Sequence, residues 1–390
     1  MTTHKTAKVA PAGWFQQFKD GAPSGYSSSI IQNTRDVVNH LRKSNGRRKP
    51  ILTLGHLAFE TKVPVKTLRA WVARRDSDAY RTFMLAKGGT PSRGYRMISV
   101  PRPDLKHVQR WICDNILALE KPHSASKAYT PKSTLVEAVE PHLGCRWLIK
   151  LDLHAFFDSI PETSVYKVFE GIGYQPLVAI ELARICTRLS PDSRWRAHSR
   201  WQSRRPERYS NVKGYAVKRL GYLPQGAPTS PMLSNLVMRV FDADLTAAAV
   251  KRGFQYTRYA DDLAFSTKEM SSRNLCGALI TDVYKLIAKY GLAPNLSKTA
   301  VTPPGGRKLL LGLLIDGEKP RLTKEFREEL NRHLYFIDKY GVQSHADHRK
   351  FESIYGLRHH LFGLAYYARQ IDPTYGQAVL ARLNAVPWPI

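Results

Sequence analysis

The chain has 390 residues, 43% of them hydrophobic, which is enough for one large domain or for two to three subdomains around a substantial core. Sixty Lys and Arg against 32 Asp and Glu give a formal net charge of +28, which favours a polyanion such as nucleic acid as the partner. No apolar run of about 18 residues occurs, and the four cysteines form no CxxC pair, so we expect no membrane-spanning helix, disulfide framework or zinc ribbon, and instead a cytoplasmic protein with reduced thiols.

In the first 75 residues, helices are the only regular secondary structure that the sequence predicts. The Pro, Gly and Ser clusters of residues 1–28 indicate weak order, and residues 33–43 suit a short helix. Between residues 52 and 75 the spacing of apolar side chains predicts two helices that flank the turn Lys62-Val63-Pro64-Val65. This pair resembles a helix-turn-helix, but a structural helix pair has the same pattern, and we favour the structural interpretation.

A strand pair is predicted next, from Tyr80 to Pro101, around a turn at Gly88-Gly89. Lys87, Arg93 and Arg96 lie on either side of this turn. A hairpin that carries cations could hold a triphosphate, and a solvated basic hairpin would have the same composition.

Two predicted helices, over residues 106–119 and 134–143, precede an apolar strand over 147–153. This strand carries Asp152 near its end, and a carboxylate there is costly unless it is paired or bound to a metal. The following stretch 165–189 is predicted to be mostly helical, with a break at its glycines.

The stretch 191–220 combines many cations with aromatic residues. Cations contact phosphates and aromatic rings stack on bases, so this composition suits contact with single-stranded or structured RNA. The candidate nucleic-acid-binding residues are Arg194, Trp195, Arg200, Trp201, Arg204, Arg205 and Arg208.

Two further segments stand out beyond the basic stretch. The loop Leu223–Pro231 contains small residues that let a ligand approach the backbone, and a helix is predicted to follow it to about residue 252. The tetrapeptide Tyr259-Ala260-Asp261-Asp262 lies between two aromatic and apolar segments, which predicts a tight turn between strands. Adjacent carboxylates repel each other, so this turn is either solvated or bound to a hard cation such as Mg²⁺.

Three motifs occur in the order and spacing found in reverse transcriptases: Asp152 with the following Phe156-Phe157-Asp158-Ser159-Ile160, the loop Leu223–Pro231, and Tyr259–Asp262. From about Tyr80 onward the chain resembles the bacterial retron-type reverse transcriptases and their relatives in phage-defence systems. The resemblance implies an α+β right-hand polymerase fold, with fingers, a palm built from an antiparallel sheet and packed helices, and a helical thumb.

The expected domains follow from this fold. Residues 1–50 form an N-terminal extension, 51–145 the fingers with the N-terminal helix pair, 146–316 the palm with its basic insertion at 191–220, and 317–390 the thumb. A helix over 274–290 and a primer-grip hairpin over 307–315 belong to the palm, and helices over 323–339 and 350–370 belong to the thumb. The thumb cations expected to follow the duplex backbone are Lys324, Arg327, Arg358 and Arg369.

The resemblance also implies the roles of individual residues. Asp152, Asp261 and Asp262 are the expected catalytic residues, and together with the carbonyl of Leu153 they are expected to hold two Mg²⁺ ions. The expected nucleotide-binding residues are Lys87, Arg96, Phe157, Gln225 and Lys298. Within this set, Phe157 matches the steric gate that excludes a 2′-hydroxyl, and Lys298 matches a general acid, or a cation that stabilises charge, for pyrophosphate release.

The implied function is RNA-directed DNA synthesis on a noncoding RNA template, in anti-phage defence. The expected partners are the template RNA, a DNA product or RNA–DNA hybrid, dNTPs and an effector protein, with no membrane. A retron and another defence-associated reverse transcriptase both remain open, because His142 lies one residue too far from Glu137-Ala138 for the usual Asn-Ala-x-x-His, and Leu310-Leu311-Gly312 replaces the usual Val-Thr-Gly. The alternatives from other classes are a group II intron-like splicing cofactor and a catalytically idle RNA-binding scaffold.

Overall fold

The structure is a computed structural model that describes residues 28–44, 49–76, 79–86, 95–130, 133–189, 201–202, 215 and 219–389. The chain forms two units, each built from two separate segments. Unit 1 comprises Met1–Lys121 and Phe157–Val237, and unit 2 comprises Pro122–Phe156 and Met238–Ile390. The division into fingers, palm and thumb at the boundaries given above stays a prediction.

The helices are, in chain order, α1 (Ser28–Ser44), α2 (Leu54–Thr61), α3 (Val65–Val72), α4 (Pro103–Asn115), α5 (Leu135–Val139), α6 (Glu162–Ile172), α7 (Pro176–Cys186), α8 (Ser230–Val237), α9 (Arg239–Val250), α10 (Arg273–Lys289), α11 (Lys324–Tyr340), α12 (Val342–His348), α13 (Ile354–Ile371) and α14 (Pro373–Ala385). The strands are β1 (Tyr80–Ala86), β2 (Tyr95–Pro101), β3 (Trp147–Asp152), β4 (Gln255–Tyr259), β5 (Asp262–Thr267), β6 (Ala300–Thr302), β7 (Leu309–Leu310), β8 (Leu313–Leu314) and β9 (Arg321–Leu322). No helix in these ranges is long and apolar enough to cross a membrane.

Unit 1 contains the predicted helix pair and hairpin. Strands β1 and β2 pair in antiparallel register from Tyr80 opposite Pro101 to Ala86 opposite Tyr95. Helices α2 and α3 form the predicted pair, and α3 packs against α7 through Leu68, Trp71 and Val72, which are buried. The apolar face of α3 is thus used in packing, which accounts for the apolar spacing of the sequence; the choice between the two interpretations of the pair stays a prediction.

A buried ion-pair network joins these helices within unit 1. Glu162 is only 1% exposed and accepts hydrogen bonds from Arg74 Nη2 at 2.8 Å and from the backbone N–H of Gly221 at 2.7 Å. Arg184, also buried, lies 3.4 Å from the same carboxylate. A buried carboxylate is tolerated only with such partners, so the network fixes where α3, α6 and α7 meet.

Unit 2 is built on a four-stranded antiparallel sheet with the order β4-β5-β3-β6. Residues directly opposite each other in such a sheet share a face. Asp152 therefore lies on the same face as its partner Asp262, and Lys150 on the same face as Ala264. The opposite face carries Tyr256 and Phe265, whose rings stack with centroids 4.8 Å apart. Helix α9 packs against both β4 and α10.

The rest of unit 2 contains a small sheet and a helical bundle. Strands β7, β8 and β9 form a three-stranded antiparallel sheet, which includes the predicted hairpin over 307–315. Its side chains Leu310, Leu313 and Ile315 pack with Leu148 and Ala264 of the larger sheet. Helices α11 to α14 enclose a second apolar cluster, and α11 and α13 correspond to the helices predicted over 323–339 and 350–370.

Candidate active site

Two catalytic carboxylates predicted from the sequence meet at one end of the larger sheet. Strands β3 and β5 are paired in a register that places Asp152 directly opposite Asp262. Tyr259 is opposite Asp262 in the β4–β5 pair, so Ala260 and Asp261 form a two-residue turn between these strands. The backbone N–H of Leu153 donates to the carbonyl of Asp261 at 2.9 Å, which ties this turn to the strand that carries Asp152.

The carboxylate of Asp152 is held on both oxygens. Asn295 Nδ2 donates to Oδ1 at 3.0 Å, and Lys298 Nζ donates to Oδ2 at 2.7 Å. The backbone N–H of Asn295 also donates to the carbonyl of Asp152 at 2.7 Å. Asp152 is 5% exposed, whereas the Lys298 side chain is 60% exposed, so the lysine reaches the carboxylate from the solvent side. Asn295 is not among the predicted site residues; its position three residues before Lys298 was the available signal.

The charged groups of this site shift one another's pKa values. Partial loss of solvent around Asp262 raises the pKa of its carboxyl to about 6, and repulsion from Asp261 and Asp152 adds to this rise. The hydrogen bond to Asp152 is the largest cause of a raised pKa at Lys298, and Asp261 and Asp262 act in the same direction. Lys298 and Lys150 lower the pKa of Asp262 but do not offset these effects, so the three carboxylates carry excess negative charge.

The donor set fits Mg²⁺ better than a transition metal. The candidate ligands are three carboxylates and the carbonyl of Leu153, and hard divalent cations prefer such oxygens, whereas zinc prefers nitrogen and sulfur. Within the described ranges, no three His, Cys, Asp or Glu side chains stand ready as a metal cluster. The repulsion that raises the pKa of Asp262 is what a bound cation would relieve. The chemistry of the donors, oxygen atoms that carry excess negative charge, is that of a magnesium site, and Lys298 is the cation that contacts Asp152.

A buried histidine supports the strands on either side of the turn. His142 is 0% exposed, and its two ring nitrogens are 2.6 Å from Ser266 Oγ on β5 and 2.7 Å from Thr257 Oγ1 on β4. Burial lowers the pKa of His142 to about 4, and Lys127 acts in the same direction. His142, which departs from the expected spacing, thus bonds in its neutral form to both strands of the hairpin that carries Asp261 and Asp262.

The candidate nucleotide-binding residues of unit 1 lie on two joined segments. The carbonyl of Gln225 accepts a hydrogen bond from the N–H of Ser99 at 2.7 Å, which links the loop to β2, the strand that carries the exposed Arg96. Gly226 has a φ of +110°, and a Cβ there would lie 3.1 Å from the Ser99 carbonyl, so this close approach requires glycine. Phe157 begins a short 3₁₀ turn and is half-buried.

Some predicted residues lie elsewhere. Trp201 is 6% exposed, so its ring is not available for base stacking, contrary to our prediction. The hydroxyl of Tyr215, which is also buried, donates to Glu181 Oε1 at 2.6 Å, so aromatic residues of the basic stretch serve the core of unit 1. Lys87 lies outside the described residues, as do the other candidate RNA-binding residues Arg194, Trp195, Arg200, Arg204, Arg205 and Arg208. The carbonyl of Leu153 stays a predicted ligand.

Comparison with known proteins gives a consistent result. Residues 85–315 match the family described as Reverse transcriptase (RNA-dependent DNA polymerase). Retron Ec86 reverse transcriptase of Escherichia coli is 28% identical over 302 residues, which cover 77% of this chain and 83% of that protein. Retron Mx162 reverse transcriptase of Myxococcus xanthus is 28% identical over 301 residues, which cover 74% of this chain and 58% of that protein. Among solved structures, telomerase from Candida albicans in complex with the TWJ fragment of telomeric RNA is similar with a TM-score of 0.41 and 12% identity, over 81% of this chain and 61% of that chain.

Proposed function

Because the chain belongs to the reverse transcriptase (RNA-dependent DNA polymerase) family, we propose that it synthesises DNA on an RNA template with Asp152, Asp261 and Asp262 as its catalytic carboxylates. The observation that carries this proposal is the β3–β5 register, which brings Asp152 opposite Asp262 beside the Asp261 turn. These carboxylates, with the carbonyl of Leu153, would hold two Mg²⁺ ions. When bound, the ions supply activation of the primer 3′-hydroxyl and neutralisation of the triphosphate.

The residues around Asp152 have separate tasks in this proposal. Asn295 orients the Asp152 carboxylate by a hydrogen bond to Oδ1. Because the amide is neutral, the carboxylate keeps its negative charge. Lys298 has a raised pKa, which keeps it protonated, and its side chain would be free to leave Asp152 if a metal ion took that place. Its ammonium can then donate a proton to the departing pyrophosphate or stabilise its charge.

The nucleotide itself is selected in this proposal by residues of unit 1. Arg96 is exposed on β2 and available to a triphosphate, and Gln225 is fixed next to the same strand by its bond with Ser99. Phe157 lies five residues after Asp152 and would exclude a 2′-hydroxyl, so that deoxynucleotides are favoured.

Primer extension on a defined RNA template with Mg²⁺ and labelled dNTPs tests the proposal. The double substitution of Asp261→Asn and Asp262→Asn is expected to reduce synthesis on the order of 1,000-fold, because each removed charge stabilises the reacting centre. Asp282→Asn is the matched control, since this carboxylate binds Arg252 on the surface of the same unit. Undiminished synthesis by the double variant would exclude the assignment.

The biological context is a second part of the proposal. The relatives named above are retron reverse transcriptases, so we propose that the template is a noncoding RNA and that the DNA product serves anti-phage defence. Sequencing the RNA and DNA that co-purify with the protein tests this. An RNA covalently linked to DNA would identify a retron, unlinked DNA copied from one RNA would favour another defence-associated enzyme, and absence of DNA would favour an RNA-binding scaffold.

A further inference from the structure

Arg258 is a fully buried cation next to the catalytic turn. It is 0% exposed and immediately precedes Tyr259 on β4. Its guanidinium forms a fork with Asp242 of α9, with Nε to Oδ1 at 2.8 Å and Nη2 to Oδ2 at 2.7 Å. Asp242 is also 0% exposed and accepts a further hydrogen bond from the hydroxyl of Tyr256 at 2.9 Å. Removing such a pair from water is costly, so a buried ion pair is by itself weak evidence that the pair stabilises the fold. The other contacts of Arg258 indicate a different role.

The same guanidinium reaches the turn. Arg258 Nη1 donates to the carbonyl of Ala260 at 3.1 Å. Ala260 has a φ of +56°, a left-handed conformation that glycine adopts easily and that is unfavourable for a residue with a Cβ. The hydrogen bond from Arg258 therefore stabilises a backbone conformation that is intrinsically unfavourable for alanine.

This contact determines how Asp261 is presented. A peptide unit is planar, so fixing the carbonyl of Ala260 also fixes the N–H and Cα of Asp261. The next peptide unit is fixed by the hydrogen bond between Leu153 N–H and the Asp261 carbonyl, at 2.9 Å. Both peptide planes around Asp261 are thus held, one by Arg258 and one by the strand of Asp152.

A second segment of unit 2 immobilises Arg258 in turn. Its Nη2 donates to Ser126 Oγ at 3.1 Å, its backbone N–H donates to the carbonyl of Ala125 at 2.8 Å, and its carbonyl accepts from Lys127 N–H at 2.8 Å. The guanidinium also lies over the ring of Phe156, 5.7 Å from its centroid. Together with the ion pair to Asp242, these contacts hold the guanidinium in one position.

We propose that Arg258, oriented by Asp242, is a positioning residue that holds the Ala260–Asp261 peptide so that the Asp261 carboxylate is aimed at the metal site. The inference rests on the proposed function, because it takes the three carboxylates as the metal ligands. Groups that orient metal ligands typically change metal affinity or activity by about 10- to 100-fold when they are removed.

The test uses Arg258→Lys, Arg258→Gln and Asp242→Asn in the full-length protein. Lysine keeps the charge but cannot form the fork, so it separates charge from geometry. Arg252→Lys and Arg252→Gln are the controls, because Arg252 also pairs with an aspartate of unit 2, donating through Nε and Nη2 to Asp282 Oδ2. Mn²⁺ binding to the protein alone is measured by electron paramagnetic resonance, per folded molecule, and Asp261→Asn serves as the reference for a lost ligand.

The three Arg258 and Asp242 variants are expected to bind Mn²⁺ about 10-fold more weakly, and the controls as the wild type does. In primer extension the same variants are expected to need more Mg²⁺ and to lose kcat with little change in the KM for dNTP. Wild-type Mn²⁺ affinity in folded Arg258→Lys and Arg258→Gln would overturn the inference, and so would loss of folding in both, because the pair would then serve stability alone. If the wild type binds Mn²⁺ but makes no DNA, the proposed function fails while the positioning role is still decided by the Mn²⁺ titration.

Discussion

The buried His142 predicts a specific dependence of stability on pH. It bonds Thr257 and Ser266 and is 0% exposed, and its pKa is lowered from 6.5 to about 4, chiefly by burial. Between these two values the unfolded chain takes up a proton that the folded chain does not, so unfolding is favoured as the pH falls through this window. The stabilisation is complete above pH 6.5 and is lost progressively toward pH 4.

The magnitude follows from the two pKa values. At pH 5.0 the difference in proton binding lowers the free energy of unfolding by about 2 kcal/mol relative to pH 7.5. His142→Gln removes this titration, although it also weakens one or both hydrogen bonds, at about 1 kcal/mol each. The variant is therefore expected to be less stable than the wild type at pH 7.5 and to lose most of that deficit at pH 5.0.

Urea unfolding followed by circular dichroism at pH 7.5 and pH 5.0 measures this difference. His359→Gln is the matched control, because His359 is exposed on α13. Other groups titrate in the same range, among them His333, whose pKa is also lowered to about 4, so the comparison between variants, not the wild-type slope, carries the result. An equal change in unfolding free energy for the wild type and His142→Gln would refute the reasoning.

Three further predictions concern the reaction and its RNA. Lys298→Ala is expected to lower kcat for DNA synthesis about 100-fold, while Lys298→Arg retains part of the rate; equal rates in single-turnover primer extension would remove its role at the leaving group. Phe157→Ala is expected to raise the use of rNTPs relative to dNTPs, and unchanged selectivity in competition assays would eliminate the gate. Neutralising Arg204, Arg205 and Arg208 together is expected to weaken RNA binding and flatten its salt dependence, which a filter-binding titration over several salt concentrations would detect or disprove.

The sequence alone was enough to predict which residues form the candidate site. The adjacent acidic residues in a predicted turn between strands and the loop rich in Gly and Pro are local patterns, and turn chemistry makes such patterns recognisable in a sequence. The α+β right-hand polymerase fold class predicted from these motifs is confirmed by the family match over residues 85–315. Its hairpin β1–β2 and the helix pair α2–α3 were predicted for the same reason, since the periodicity of side chains is a property of a few neighbouring residues.

Composition was a weaker guide in the basic stretch. An aromatic residue among cations can stack on a base or fill a core, and both uses give the same sequence. Trp201 and Tyr215 are buried, so the structure corrected the expectation for Trp201. Burial depends on what packs around a residue, which composition does not contain.

Only the tertiary structure decided how the site is assembled. The register that sets Asp152 opposite Asp262, and the bonds from Asn295 and Lys298, which lie 143 and 146 residues beyond Asp152, join segments with no local signal for each other. The same holds for the ion pair between Arg258 and Asp242, because nothing in the sequence distinguishes these two charged residues from exposed ones. The physical reason is that a side chain's free energy in such a site depends on desolvation and on partners brought together by folding, and neither is encoded within a short stretch of chain.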